Sequence, residues 1–153
     1  MDNRFQREGS SSNTRAGREF EELAQRYFLV REGMSLQRGV SVSIGVTRQK
    51  NHKFDLGCHD RRILVECKSY KWTRGGNSPI AKIQSLNEAM LHFSVAPSHY
   101  QKILFLELDV HPKRGLSLGD HYVKNQGHLI GAGVEVWEYD RTAADVRKLW
   151  PPQ

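Results

Sequence analysis

The sequence predicts an α/β domain in which helices flank a mixed β-sheet. An amphipathic helix pattern opens the chain, three strand patterns follow it, and helix and strand patterns then alternate. No repeat or linker interrupts residues 14–150, and 153 residues are enough to bury one core. We therefore expect one domain over residues 14–153 with the order α-β-β-β-α-β-α-β, preceded by a disordered, polar arm over residues 1–13.

The first half of the chain carries one helix signal and three strand signals. Over residues 14–30, apolar side chains recur at the spacing of one helix face, and Gly33 follows as a stop. Residues 40–47 alternate between β-branched and small polar side chains, which is typical of a half-buried strand. Two further strands are predicted over residues 53–58 and 63–68, joined by a short polar turn.

The second half of the chain alternates between helix and strand signals. Ser78 and Pro79 predict the start of a helix, with Ser78 as the N-cap and Pro79 as the first helical residue. The remaining elements are a strand within residues 101–110, a helix over 117–130, a strand over 134–138 and a short terminal helix over 143–149.

Net charge, the length of apolar stretches and the number of cysteines limit the classes of protein to which this chain can belong. The net charge of +6 permits a nucleic-acid partner without requiring one. No stretch approaches the ~20 apolar residues of a membrane span, and the first residues lack the apolar region of a secretory signal, so we expect a cytoplasmic protein without a membrane partner. The two cysteines, Cys58 and Cys67, are too few for a disulfide scaffold, and their spacing with His59 matches no common zinc pattern. Buried, inert thiols are expected instead.

The strands over residues 53–58 and 63–68 carry a group of charged side chains. Glu66 and Lys68 share one face of their strand because side chains alternate across a strand. A turn over residues 59–62 places Asp55 directly opposite Glu66, with Cβ atoms about 5 Å apart. Two carboxylates at that distance repel unless a proton or cation lies between them, and a divalent metal ion is the simplest answer.

A metal between two carboxylates and beside a lysine suits phosphodiester hydrolysis. The ion would polarise a phosphate and lower the pKa of a water. Lys68 could orient or activate that water, or stabilise developing negative charge. The alternative is an exposed ladder of salt bridges without a catalytic role, which the apolar composition of the third strand disfavours.

Asp55, followed on the next predicted strand by Glu66-Cys67-Lys68, resembles the motif of the PD-(D/E)xK nuclease superfamily. The resemblance covers nearly the whole chain, because the αβββαβ order matches the superfamily core. It implies a restriction-endonuclease-like fold, Mg²⁺ (which Mn²⁺ can replace) held by Asp55 and Glu66, and DNA as substrate. The residue before the aspartate is Phe54 rather than Pro, a departure that the superfamily tolerates.

The same resemblance implies a third carboxylate on the first helix, commonly in a Phe-Glu pair. Phe20-Glu21 matches that pair. Glu21 lies near the border of the apolar helix face, whereas Glu19 borders the opposite edge and Glu22 points to solvent. We therefore expect Glu21 to complete the catalytic and metal-binding set.

Candidate nucleic-acid contacts follow the catalytic strand and recur in later segments. Residues 70–74 interleave aromatic and basic side chains, a composition that suits phosphate contact and base stacking, although a packed loop would have the same composition. The candidates are Lys71, Trp72, Arg74, Lys82, Lys113 and Arg114.

The predicted function is a metal-dependent endodeoxyribonuclease. The alternatives are a catalytically inactive nucleic-acid-binding module of the same fold and a protein-interaction or assembly protein. One domain with one site cuts one strand, so we also expect a homo-oligomer, a dimer or higher, with Trp72, Tyr122 and Trp150 as candidate surface residues.

Overall fold

Six strands and three helices make up the protein, as seen in a computed structural model that describes residues 4–153 except Arg74, Gly76 and Ser78, and side chains from Thr14 onward. The elements are α1 (Arg4–Arg31), β1 (Gln37–Ile44), β2 (Lys50–Cys58), β3 (Ile63–Lys68), α2 (Ile80–Ser94), β4 (Gln101–Glu107), α3 (Leu118–Gln126) with a 3₁₀ turn at Gly127–Leu129, β5 (Val134–Asp140) and β6 (Asp145–Trp150).

The strands form one mixed sheet in chain order, from β1 at one edge to β6 at the other. β3, β4 and β5 run parallel, and the pairs β1–β2, β2–β3 and β5–β6 are antiparallel. Each parallel pair is connected through a helix, α2 or α3, and these two helices pack on the same face of the sheet. The other face is covered by α1. The sequence prediction of an α/β domain with a mixed sheet is therefore confirmed.

Each face of the sheet buries its own apolar cluster. Phe20, Ala24 and Phe28 of α1 are fully buried at the spacing predicted from the sequence. On the opposite face, the clustered side chains come from α2, α3 and alternate sheet positions; they include Leu64, Leu86, Phe93, Leu104 and Tyr122. The alternation along β3 matters for function, because Val65 and Cys67 pack under α1 while Leu64 faces α2. Glu66 and Lys68 therefore lie on the α2 face.

Helix α1 begins at Arg4 rather than at the predicted Thr14. Adding a residue to a helix that is already anchored by buried turns is far easier than nucleating a new turn, and the helix continues through Asn13, the serines 10–12 and Gly9 despite their low helix propensity. The helix therefore runs into the segment predicted as a disordered arm. Of that segment, residues 1–3 and the side chains of 4–13 lie outside the described structure, and its disorder in solution stays a prediction.

The predicted terminal helix over residues 143–149 is wrong, because this segment forms β6. The sequence Ala-Ala-Asp-Val-Arg-Lys-Leu has a reasonable helix propensity. Ala144 instead adopts a left-handed conformation (φ 51°), which closes a turn, and the chain pairs with β5 from Asp140↔Asp145 to Val136↔Trp150. Hydrogen bonding along an open sheet edge outweighs the local preference.

Two smaller departures concern apolar residues at element ends. Val46 lies beyond the end of β1 and is 83% exposed, so the alternating pattern stops at Ile44. Ile80 opens α2 but is 68% exposed, with Pro79 as the N-cap, whereas the predicted cap Ser78 lies outside the described residues. Within the described part of the chain, no helix is long and apolar enough to cross a membrane.

Candidate active site

Asp55 lies where β2 and β3 separate. The ladder between the two strands runs from Cys58↔Ile63 to Leu56↔Val65, which is the register predicted from the turn over residues 59–62. One step further, Asp55 and Glu66 come opposite each other. Asp55 Oδ2 accepts a hydrogen bond from the backbone N–H of Cys67 at 2.8 Å, so a side chain continues the connection where the backbone ladder stops.

A local change of face directs Asp55 into the gap between the strands. Phe54 packs in the cluster under α2, whereas Leu56, two residues later, packs under α1. Regular alternation would place both side chains on one face. The neighbouring strand makes the same change, because Val40 packs with the α2 cluster and Arg38 reaches α1, with Gly39 between them at φ +66°. The Asp55 side chain is therefore placed between the two layers.

Glu66 is a carboxylate held in an environment that disfavours its charge. Burial, with the negative charge of Asp55 in addition, raises the pKa of Glu66 to about 8, although Lys68 acts in the opposite direction. Lys68 Nζ lies 3.8 Å from Glu66 Oε1, and within the described structure Glu66 Oε2 is buried without a hydrogen-bond partner. An unpartnered buried oxygen is unfavourable unless something else occupies its position.

Lys68 is held as a cation. Burial alone would lower the pKa of its ammonium group, but Tyr70, Glu66 and Asp55 outweigh burial, and the pKa is raised. The ammonium group lies 5.7 Å from the centre of the Tyr70 ring. Of the roles considered for Lys68, a fixed positive charge is therefore the one its surroundings favour, because an amine that keeps its proton cannot accept one from water.

Glu21 approaches the same gap from α1. It is half-buried, whereas Glu19 and Glu22 are exposed. Burial raises the pKa of Glu21, and Asp55 adds to this effect while Arg38 opposes it. Glu21 Oε2 lies 3.0 Å from Arg38 Nη2. Glu21, Asp55 and Lys68 line one cleft of about 350 Å³.

The carboxylates fit an oxygen-bound divalent cation. Asp55 and Glu66 lie close together, burial and the charge of Asp55 raise the pKa of Glu66, and Glu66 Oε2 has no hydrogen-bond partner within the described structure. Among the described side chains, no three His, Cys, Asp or Glu groups converge as a complete metal cage. Mg²⁺ does not require one, because it commonly uses one or two carboxylates and fills its other positions with water and substrate phosphate. Asp55 and Glu66 are therefore the side chains that would hold the ion.

Lys82, one of the predicted nucleic-acid contacts, lies close to Tyr70 and Lys68. Its ammonium group is 6.0 Å from the centre of the Tyr70 ring, whose other neighbour is Lys68. Lys82 also donates to the backbone carbonyl of Lys71 at 2.8 Å, which links α2 to the segment that follows β3. Tyr70 donates to or accepts from Ser85 and is held by α2. Lys71 is exposed on this segment.

Trp72 occupies a different environment from the one predicted. It is 8% exposed, and its backbone and indole N–H groups donate to Asp109 at 2.6 and 3.1 Å. Its ring packs edge-on against His111 and His121. A ring enclosed in this way is not presented for stacking on a base, so its position corresponds to the packed-loop alternative, and the predicted contact of Trp72 with nucleic acid is not supported.

The other predicted contacts differ in their placement. Lys113 and Arg114 are exposed in a loop whose shape is fixed by His111, because both backbone N–H groups donate to His111 Nδ1 at 3.1 Å. Arg74 lies outside the described residues. Two further basic residues of the chain, Arg61 and Arg62, precede β3 and therefore lie at the opposite end of the sheet from the candidate site, roughly 17 Å away along the strand.

Sequence reasoning missed Arg38 and the supporting role of Tyr70. Arg38 belongs to a strand recognised by its alternation, but the pattern gave no sign that Gly39 would reverse the face of the preceding side chain. The glycine inside a strand was the available signal, since such glycines often mark a local distortion. Both cysteines are free; Cys67 is buried as expected, whereas Cys58 is only partly buried. Burial raises the pKa of the Cys67 thiol well above its ordinary value.

Searches against protein-family models, curated proteins and solved structures gave no match to this chain.

Proposed function

We propose that this chain is a Mg²⁺-dependent endodeoxyribonuclease of the PD-(D/E)xK type with a restriction-endonuclease-like fold. The observation that carries the proposal is the interaction of the Asp55 and Glu66 side chains at the point where β2 and β3 separate, with Lys68 Nζ 3.8 Å from Glu66 Oε1. Two neighbouring carboxylates repel unless a proton or a cation lies between them, the unpartnered oxygen of Glu66 favours a cation, and the ammonium group beside them can contact an anion. A phosphodiester beside a divalent metal supplies both.

In this proposal Asp55 and Glu66 hold the ion, with Mn²⁺ as a substitute, and Glu21 is the third carboxylate of the site. The bound ion supplies Lewis acidity toward a phosphate oxygen and lowers the pKa of water. Hydrolysis forms a bond from a water oxygen to phosphorus and breaks one bond from phosphorus to a sugar oxygen. The water gives up a proton, and the released sugar oxygen takes one up.

Lys68 acts on the charge that develops during this reaction. Its raised pKa keeps the ammonium group positive near neutral pH, so it orients the phosphate and offsets negative charge as the bond to phosphorus forms. Tyr70 and Glu66 limit the positions open to the ammonium group, since it lies between them. A positioned charge of this kind stabilises the transition state more than the ground state.

The basic side chains at this end of the sheet favour DNA as the partner. Lys82, Lys113 and Arg114 are carried by elements that follow β3 and β4, on the same end of the sheet as Lys68. Contacts of lysine and arginine with phosphate oxygens position a nucleic acid without reading its sequence. Affinity that depends on such contacts falls steeply as salt concentration rises.

The test is cleavage of linear duplex, nicked, branched and single-stranded DNA side by side, with Mg²⁺, with Mn²⁺ and with EDTA. Asp55→Ala and Glu66→Ala should remove cleavage and leave the fold intact, as measured by circular dichroism. Glu19→Ala is the matched control, because this carboxylate is exposed on the same helix as Glu21. Near-normal cleavage by both site variants would refute the proposal. Metal-independent DNA binding without cleavage would favour an inactive binding module, and neither binding nor cleavage would favour an interaction protein.

A further inference from the structure

Arg38 is a guanidinium group directed into the catalytic cleft by a distortion of β1. It is paired opposite Leu56, whose side chain packs under α1, whereas Val40 packs under α2. Gly39 separates the two residues at φ +66°, a conformation that side-chain-bearing residues rarely adopt. The same change of face on β2 places Asp55 in the gap. One local distortion across two strands therefore directs both side chains.

Two carboxylates of α1 hold Arg38 in position. Arg38 Nη2 lies 3.0 Å from Glu21 Oε2, and Nη1 lies 3.5 Å from Glu22 Oε1. The Arg38 side chain remains 36% exposed. A guanidinium group has five N–H donors, and these two contacts leave donors for another acceptor. The contact uses only Oε2 of Glu21, so the same carboxylate can also serve the metal site through Oε1.

The side chains that line the cleft indicate which acceptor the remaining N–H donors of Arg38 would contact. Arg38 lines the cleft together with Asp55 and Lys68. Lys68 provides one positive charge beside the carboxylates, and a nucleic-acid strand that crosses the cleft carries a second phosphate next to the reacting one. The planar fork of an arginine matches phosphate geometry, particularly when carboxylates already fix its orientation.

We propose that Arg38 binds a phosphate adjacent to the one that is cut, and that Glu21 and Glu22 hold its guanidinium group ready for this contact. This inference rests on the proposed nuclease function. The competing explanation is that Arg38 only clamps β1 to α1. Ion pairs as exposed as this one contribute little to stability, which makes a purely structural role a weak reason for the arrangement.

The experiment measures the affinity of the full chain for a fluorescent DNA duplex at several salt concentrations, once in EDTA and once with Ca²⁺. Arg38→Ala is compared with Arg38→Lys and with Arg31→Ala. Arg31 is the matched control, because it is an arginine that forms an exposed ion pair as Arg38 does, with Asp145 at 3.5 Å, and its loss changes the net charge equally.

Arg38→Ala should weaken DNA binding by about 10-fold and lower the slope of log affinity against log salt by about 1. Arg38→Lys should fall between this variant and the wild type, and Arg31→Ala should change affinity by less than about 3-fold. Mn²⁺ binding in the absence of DNA, measured by calorimetry, should be unchanged or tighter in Arg38→Ala, because a positive charge near the site has been removed.

Equal losses in Arg38→Ala and Arg31→Ala, or an unchanged salt slope in Arg38→Ala, would overturn the inference. A loss of Mn²⁺ affinity as large as the loss of DNA affinity would also overturn it, because Arg38 would then act by positioning Glu21. If wild-type protein cleaves DNA while Arg38→Ala binds normally, only this inference fails. If wild-type protein neither binds nor cleaves DNA, the proposed function fails with it.

Discussion

Under the proposed function, the protonation of Glu66 links metal binding to pH. Its pKa of about 8 means that the carboxyl group keeps its proton at neutral pH until a cation displaces it. In the unfolded chain the same group loses its proton near its ordinary value of 4.5. Between these two values the folded protein binds more protons than the unfolded protein, so this group's contribution to stability is present at low pH and is lost as pH rises toward 8.

We therefore expect the free energy of unfolding in EDTA to decline between about pH 5 and 8 through Glu66, by on the order of a few kcal/mol. Glu66→Gln should lack this decline, because the amide cannot ionise. Urea unfolding at pH 5, 7 and 9 measures both proteins, with the exposed Glu19→Gln as control. Parallel stability curves for wild type and Glu66→Gln would contradict the assignment of a raised pKa.

A second prediction at this scale concerns Lys68. Lys68→Ala should lower the cleavage rate by about 10²-fold or more while changing DNA affinity far less, because a positioned charge acts mainly in the transition state. Lys68→Arg should recover part of the rate. Single-turnover cleavage and equilibrium binding separate the two quantities. Equal losses of rate and affinity would identify Lys68 as a simple phosphate anchor instead.

At the scale of elements, β1 and β2 carry the distortion on which the site depends. Gly39 has φ +66°, and a Cβ atom there would lie 3.2 Å from the flexible Cδ of Lys53, so the main penalty of a side chain is backbone strain. Gly133 is a matched glycine with φ +76° and nothing within 4 Å of an added Cβ. It lies before β5, at the end of the sheet away from the site.

Gly39→Ala and Gly133→Ala should each reduce the free energy of unfolding by about 1–2 kcal/mol, the strain of a left-handed conformation. Only Gly39→Ala should also weaken cleavage and DNA affinity, because relief of the strain would turn Arg38 and Asp55 away from the cleft. Chemical unfolding and cleavage assays on both variants make the comparison. Unchanged cleavage by Gly39→Ala would mean that the distortion does not direct the site.

The elements that the sequence predicted correctly are those whose structure depends on residues close together in the chain. The register of the β2–β3 hairpin and the bounds of β3 were predicted, because alternation and turn length are local and together determine which residues face each other, whereas β2 begins at Lys50, three residues before its predicted start. The end of the chain was not predicted, because a segment of helix-forming residues paired with a distant strand edge. Trp72 was misplaced for the same reason. Its burial depends on Asp109, His111 and His121, which the sequence does not mark as its neighbours.

At the scale of the whole molecule, two of the three residues predicted to form an oligomer surface are buried within the chain. Tyr122 is fully buried, donates to Asn87 at 2.9 Å and belongs to the core, and Trp72 is enclosed by its loop. Trp150 remains at the surface, where it lines a cleft of about 610 Å³ with Tyr100 and Ile130. This cleft lies at the end of the sheet opposite the catalytic site. A surface there would leave the catalytic cleft accessible to DNA in an assembly.

The expectation of an oligomer now rests on the number of active sites. The described residues contain one grouping of Asp55, Glu66 and Lys68. Under the proposed function, one chain would hydrolyse one phosphodiester at a time, and cutting both strands of a duplex at one place would require two sites. A two-fold dimer would supply two sites in opposite orientation, which matches the antiparallel strands of a duplex.

Light scattering at micromolar concentration, without DNA and on a duplex, should give a mass twice the 17.6 kDa of one chain. Trp150→Glu should shift the equilibrium toward monomer if the cleft forms the contact, with Arg62→Glu as a nearby exposed control. A monomer both free and on DNA would refute the dimer and predict single-strand nicks as the product.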